Sequence, residues 1–268
     1  MKNFSNKYIF LYATAIVAVV AVLLSIVATA LKPRQQENMR NEKMQNLLAA
    51  IDVRDVPAKM AAETYKKYFK TELTVSTSGD IKSCYDISSE RLESGNIRAF
   101  DINLKEQQAL DKGGDPSAVF PVYVFEKDGA CGYVLPLRGA GLWGAVWGNI
   151  ALADDCNTVV GANFDHEGET PGLGAEITTQ KFQAPFVGKQ ILDENGQVVS
   201  IAVRKHAAPD GNHEVDAISG GTMTSNGVNA MLETDLKRYQ AFFDNIRSQQ
   251  EEKEVSQPII EEMEDNHE

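Results

Sequence analysis

The strongest pattern in the chain is an apolar run from Tyr8 to Leu31 that contains no charged residue. A helix over this run, rising about 1.5 Å per residue, reaches roughly 36 Å, more than the ~30 Å hydrocarbon core of a bilayer. Leu, Ile, Val and Phe dominate the run, and each favours insertion by about 0.3–0.6 kcal/mol. Ala28-Thr29-Ala30 looks like a signal-peptide cleavage site. However, the apolar stretch is longer than the about 7–15 residues of a secretory h-region, so the pattern predicts a retained single-pass anchor.

After the anchor the chain becomes charged and helix-compatible as far as about Lys70, with Met44, Leu47, Leu48 and Ile51 at helical spacing on one face. This predicts a stalk. From Phe120 the period shortens. Val122 to Phe125 and Gly132 to Leu137 read as strands joined by a hairpin turn at Lys127-Asp128-Gly129. Asn157 to Phe164 is a further strand candidate, and Val198 to Val203 follows a second turn signal, Asn195-Gly196. Beyond Thr224 the pattern is helical again. Val228, Met231, Leu232, Leu236, Tyr239, Phe242, Phe243 and Ile246 make one apolar stripe. Strands in runs with helices at both ends predict an α+β fold: one N-terminal transmembrane helix, then a mixed domain with antiparallel strands and flanking helices. The divisions expected are 1–31 for a cytoplasmic N-terminus and anchor, 32–118 for the helical stalk and first part of the soluble domain, 119–249 for the main domain, and 250–268 for an acidic disordered tail.

Charge narrows the function. The 268 residues carry a net charge of −12, which argues against nucleic-acid binding. Much of the excess lies after Gln250, where acids outnumber lysines heavily, the composition of a solvated extension. Lys2 and Lys7 precede the anchor, while Lys32, Arg34, Arg40 and Lys43 follow it. Counting positive charges alone would keep the large domain in the cytoplasm, but long domains translocate regardless of flanking charge, so these residues leave the orientation open. Cys84, Cys131 and Cys156 form no CxxC and have no histidines at zinc-finger spacing, so no metal site is expected. Walker A and dinucleotide-binding spacings are missing, as is any nucleophile–base arrangement that would mark independent catalysis.

Three motifs carry candidate chemistry. Asp216-Ala217-Ile218-Ser219-Gly220-Gly221-Thr222 is a Gly- and hydroxyl-rich turn leading straight into the apolar-striped helix. Free N–H groups and positive potential at such a helix start suit a phosphate, although a plainly capped helix start has the same composition. Arg138-Gly139-Ala140-Gly141-Leu142-Trp143 should lie at a strand end, and His166-Glu167-Gly168-Glu169-Thr170-Pro171-Gly172-Leu173-Gly174 reads as a tight loop.

The first motif resembles the flavinylation motif Asp-x-x-Ser-Gly-Ala-Thr of the FMN-binding domain family. That family includes the NqrC subunits of the sodium-pumping NADH:quinone reductases and a shorter subunit of the Rnf electron-transport complexes. The other two motifs resemble its Gly-x-Gly-Leu-Trp and His-x-Glu-Thr-Pro-Gly-Leu-Gly segments, in the same order. The chain departs from the pattern at Gly221, where the family usually has Ala, and at Gly144, where it often has Ser. The resemblance implies FMN joined through its phosphate to Thr222 by a dedicated flavin transferase, with Asp216, Ser219, Gly220 and Gly221 at the phosphate end. It further implies that Leu142, Trp143, Thr170, Gly172 and Leu173 surround the flavin, with Glu169 near its polar edge. Chain length, the long stalk and the Gly-Leu-Trp segment favour the NqrC branch over the Rnf branch. The implied role is an electron relay from NADH toward ubiquinone, coupled to sodium export, within a multisubunit inner-membrane complex. The flavin domain would lie on the periplasmic side. The alternatives are an Rnf-type subunit and an anchored, non-redox module for a phosphate-bearing ligand.

Overall fold

The structure is a computed structural model that describes residues 5–208 and 211–264, with backbone alone from residue 253 onward. Residues 1–4 of the expected cytoplasmic N-terminus and 265–268 of the expected tail lie outside the described residues.

Anchor and stalk are one helix, α1, Asn6–Ala50. None of its most apolar window is covered by the protein, which leaves that surface for lipid. Pro33 sits inside α1 just past the apolar run, where its missing N–H and ring strain the helix ladder. Burial begins at the stripe expected from sequence: Leu47, Leu48 and Ile51 are enclosed. A 3-10 turn at Ala58–Met60 leads into α2, Ala61–Tyr68.

Next come β1 (Phe69–Ser76), β2 (Ile81–Asp86), β3 (Arg91–Ser94), a 3-10 turn at Ala99–Asp101, and α3 (Leu104–Lys112). They are followed by β4 (Val119–Lys127), β5 (Ala130–Ala140), β6 (Ala145–Ala153) and β7 (Val159–His166). These seven strands form one sheet in the order β3-β2-β1-β4-β5-β6-β7, every neighbouring pair antiparallel. The sheet therefore runs across the division expected at residues 118 and 119. The hydrophobic pattern does not reveal β1 to β3 or β6. In β1 the apolar alternation is interrupted by Glu72, which is fully enclosed because Arg98, the Tyr65 hydroxyl and the Phe100 amide all bond its carboxylate. In β6, Gly148 and Asn149 break the apolar run.

After β7 come the short helix α4 (Gln180–Gln183), the parallel pair β8 (Ala202–Arg204) and β9 (Glu214–Asp216), then α5 (Thr222–Lys237) and α6 (Gln240–Glu264). Only the end of the Val198–Val203 segment pairs as a strand, and the Asn195-Gly196 turn closes a single Leu192–Val198 bridge. The strand period of two sorts side chains onto two faces. Phe120, Val122, Leu135, Leu137, Ile150 and Phe164 face Val228, Leu232, Leu236 and Phe243 of α5 and α6. Tyr123, Phe125, Val134 and Ala151 face the end of α1 and α2. The stripe after Thr224 divides between two helices because the Arg238 and Tyr239 amides bond i−3 carbonyls, a tight turn that keeps Leu236, Tyr239 and Phe242 on one side. Within the tail expected to be disordered, α6 continues to Glu264. Glu, Gln and Lys are good helix formers, so the charge that marks a solvated extension is equally compatible with a solvated helix.

Candidate functional site

The three motifs meet at one end of the sheet. The turn between β5 and β6 carries Leu142 and Trp143, the exit of β7 carries Glu169 to Leu173, and the exit of β9 carries Ser219 to Thr222. Glu169 joins them. It is 4% exposed; one oxygen accepts the Trp143 amide at 2.9 Å and the other accepts the Thr224 hydroxyl. Burial alone would raise its pKa, but the Thr224 hydroxyl and the Trp143 and Leu142 amides outweigh it, so the carboxyl titrates below its ordinary value. The Glu169 amide donates to His166 Nδ1 at 3.1 Å, which places His166 in loop support. No room exists for a side chain at Gly174: a Cβ there would lie 2.2 Å from Thr224 Oγ1.

The loop before α5 and the first turn of α5 hold four hydroxyls in different environments. Ser225 Oγ accepts the Ile218 amide at 3.0 Å, and Thr224 is committed to Glu169. Both are buried, whereas Ser219 and Thr222 differ from them: Ser219 is exposed, and Thr222 stands at the first position of α5 with its side chain making no hydrogen bond among the described residues. Gly221 is the N-cap of α5, with no side chain capping the helix. The Ser225 amide is the first to bond back into the loop, reaching the Gly221 carbonyl at 2.9 Å. The amides of Thr222, Met223 and Thr224 have no partner among the described residues. A helix start of this kind, with free N–H groups beside an uncommitted hydroxyl, suits a phosphate group.

Large apolar side chains stand exposed around it. Trp143 is 70% exposed, Leu142 50% and Leu173 42%. Met223, which sequence reasoning does not single out, is 59% exposed. Leu173 lies against Gly220, where a Cβ would approach its Cδ2 to 2.7 Å. Such a group offers a surface for a flat apolar ring. The donor set thus fits FMN: amides and a hydroxyl at the phosphate end, uncovered apolar surface for the isoalloxazine.

Other expected site residues lie toward a neighbouring cleft of about 600 Å3, lined by Gly172, Asp216 and Ser219 together with Lys181, Lys205 and His206. Asp216 Oδ1 accepts the Ala207 amide at 3.0 Å, so this carboxylate braces the 204–207 turn. The Thr170 carbonyl accepts the Leu173 and Ala175 amides, closing the tight loop. Nothing local marks Thr224 as the partner of Glu169, because only the fold joins positions so far apart. Among the described residues there is no group of His, Cys, Asp and Glu able to hold a metal ion.

Comparison with known proteins converges on the same region. Residues 141–237, which include all three loops, match the FMN-binding domain family. The chain is 32% identical over 250 residues to the NqrC-type subunit of the Na(+)-translocating NADH-quinone reductase of Pseudomonas aeruginosa, covering 87% of this chain and 95% of that protein. It is 32% identical to the corresponding subunit of Vibrio vulnificus, over 78% of this chain and 82% of that one. The crystal structure of the same Na(+)-translocating NADH-quinone reductase subunit from Parabacteroides distasonis superposes with a TM-score of 0.68 at 36% identity, covering 80% of this chain and 96% of that one. The fold is also that of Shewanella oneidensis NqrC, with a TM-score of 0.63 at 24% identity.

Proposed function

This chain belongs to the NqrC family of Na(+)-translocating NADH-quinone reductase subunits, and from that premise we propose that it carries FMN covalently on Thr222 and relays electrons within the complex. The observation that carries the attachment residue is the sorting of hydroxyls. Thr224 and Ser225 are buried and bonded, while Thr222 stands uncommitted among the unpartnered amides of the first α5 turn. Ser219 is exposed but precedes Gly220 and the helix start, farther from that positive potential.

Bound FMN supplies one- and two-electron chemistry. The protein's own part is placement. The α5 amides would receive the phosphate, and Thr222 Oγ would hold it as a phosphoester, formed with the net loss of one water. Leu142, Trp143 and Leu173 would offer the ring an apolar surface, and Glu169 holds the Trp143 loop against Thr224 at the start of α5. Such a relay depends on other subunits for donor and acceptor, and on a flavin transferase for maturation. The family resemblance supports an N-terminus in the cytoplasm and a flavin domain on the periplasmic side of the inner membrane, with electrons passing toward ubiquinone and the complex exporting sodium.

The decisive test is intact mass and in-gel flavin fluorescence of the chain co-expressed with a flavin transferase. Wild type should gain the mass of one FMN less one water and fluoresce on a denaturing gel, and Thr222→Leu should do neither. Fluorescence that persists in Thr222→Leu and is lost on removing Ser219 would move the attachment. Flavin that binds but leaves on denaturation would favour a non-covalent ligand module. A reporter fused after Glu268 should be active outside the cytoplasm only.

A further inference from the structure

A second cavity, of about 530 Å3, lies on the face of the sheet opposite α5, where the anchor helix meets the head domain. Pro33, Gln36 and Arg40 of α1 form one wall, and Lys66, Tyr85 and Arg98 form the other. Its depth is set by the helix. The apolar run ends at Leu31, and Pro33 to Arg40 follow on the same uninterrupted α1, about 3–14 Å farther along its axis. The polar layer outside the hydrocarbon is about 5–8 Å thick on each side. Helical Cα–Cβ bonds tilt toward the N-terminus, which here is the membrane end. Pro33 and Gln36, about 3 and 8 Å past Leu31, are therefore at headgroup level, and Arg40, about 14 Å past it, can reach that layer only with its side chain.

Its charges are unevenly committed. Lys66 pairs with Glu90, and Arg98 pairs with Glu72 while stacking on Tyr85 at 4.2 Å. Arg40 has no hydrogen bond or ion pair among the described residues; its guanidinium only lies near the Phe100 ring, 5.7 Å from the centroid. Lys66 is balanced by Glu90 and Arg98 by Glu72, which leaves Arg40 as the cation of the lining without an ion pair among the described residues, with Glu37 the carboxylate likewise without one. A guanidinium fork matches a phosphate with two parallel N–H···O bonds.

We propose that this cavity binds the headgroup of a glycerophospholipid. Arg40 receives the phosphodiester, the Arg98–Tyr85 stack forms the far wall, and the acyl chains descend along the uncovered apolar surface of α1. A bound headgroup would fix how the head domain stands on the membrane, independently of whether Thr222 carries FMN.

The test is native mass spectrometry of the full chain in mild detergent, after delipidation and addition of phosphatidylglycerol. Wild type should retain one phospholipid, and Arg40→Gln should lower its occupancy about tenfold, the loss of one charged contact. Arg34→Gln, a charge change on α1 outside the cavity lining, should leave occupancy unchanged, with circular dichroism reporting that all three proteins are folded. Diacylglycerol, which has no phosphate, should not bind, and inorganic phosphate should not displace the lipid. Retention in Arg40→Gln, equal loss in Arg34→Gln, equal binding of diacylglycerol, or displacement by free phosphate would each overturn the proposal.

Discussion

Glu169 and Thr224 form the bond on which the candidate site closes: the hydroxyl donates to a carboxylate whose other oxygen holds the Trp143 amide 2.9 Å away. The carboxyl titrates below its ordinary value of 4.5 in the folded chain. Its contribution to stability is therefore complete above the unfolded value and is lost as pH falls through the lowered folded one. Glu169→Gln keeps one acceptor oxygen and removes the charge. It should lower stability at pH 7 by about 1.5–3 kcal/mol, the range for a hydrogen bond to a charged group. The gap from wild type in thermal unfolding should narrow below about pH 4.5. An equal gap at neutral and acid pH would mean that the charge is not what holds the loops.

Gly220 and Gly221 should respond differently to the same substitution. Gly220 has φ +78°, and a Cβ there would meet Leu173 Cδ2 at 2.7 Å. Gly220→Ala should cost about 1–3 kcal/mol of strain and reduce covalent flavin. Gly221 has φ −103°, open to any residue, and its Cβ would stand 3.0 Å from Ile218 Cγ2 and 3.3 Å from the Gly174 amide nitrogen. A shift of a few tenths of an ångström admits it, and the unfolded chain loses entropy worth about 0.4–1 kcal/mol. Gly221→Ala should thus be neutral within about 1 kcal/mol, with flavin retained. Paired melting curves and in-gel fluorescence decide it, and equal damage from both would contradict the backbone argument.

What could be read from the sequence was local. The anchor is a continuous apolar run, Leu47, Leu48 and Ile51 recur at one helical period, and the Lys127-Asp128-Gly129 turn joins adjacent strands, so each is encoded within a short window. Glu72 was unreadable as a core residue because its partners come from two segments apart from β1, Tyr65 in α2 and Arg98 with Phe100 at the 3-10 turn Ala99–Asp101. β1 went unrecognised with it. The grouping of Trp143, Leu173 and Thr222 followed only from family resemblance, since no period or charge pattern links those positions. That Thr224 and Ser225 are withdrawn while Thr222 stays uncommitted depends on Glu169 and the Ile218 amide, which only the fold brings to them.

Lys43 on α1 should make stability rise with alkaline pH. Burial lowers its pKa from 10.5 to about 8, against the upward pull of Glu72 and Asp101. Its ammonium donates to the Phe100 carbonyl and lies 4.6 Å from that ring's centroid. Between pH 8 and 10.5 the unfolded chain holds more protons than the folded one, so stability increases across that window. The total is at most about 3.4 kcal/mol. Relative to Lys43→Met, which does not titrate, wild type should gain stability from about pH 7.5 to about pH 10 in thermal unfolding. A constant difference across that range would refute a depressed lysine.

Asp235 should be the costliest single truncation near the site that does not itself belong to the three motifs. Its carboxylate, 4% exposed, accepts the Arg138 amide at 2.7 Å, Gln108 Nε2 and the Arg238 guanidinium. Arg238 also reaches Asp111 at 2.7 Å. This node ties α3 and α5 to the strand end from which Gly139 to Trp143 continue. Burial raises the Asp235 pKa even though the Arg138 amide and Arg238 pull it down, so much of its worth lies in satisfying buried donors rather than in charge. Asp235→Ala strands the Arg138 amide and leaves Arg238 with Asp111 alone, and should cost about 3–5 kcal/mol. Asp235→Asn retains an acceptor and should recover at least half of that loss. Arg238→Ala should cost less than Asp235→Ala, because the Arg138 amide and Gln108 still hold Asp235. The double Ala variant should fall short of the summed losses by about 0.5–3 kcal/mol. Covalent flavin should decline in Asp235→Ala and return in Asp235→Asn, following the position of the Gly139–Trp143 segment. If Asn is as damaging as Ala, the charge rather than the hydrogen bonding of Asp235 sets the end of β5.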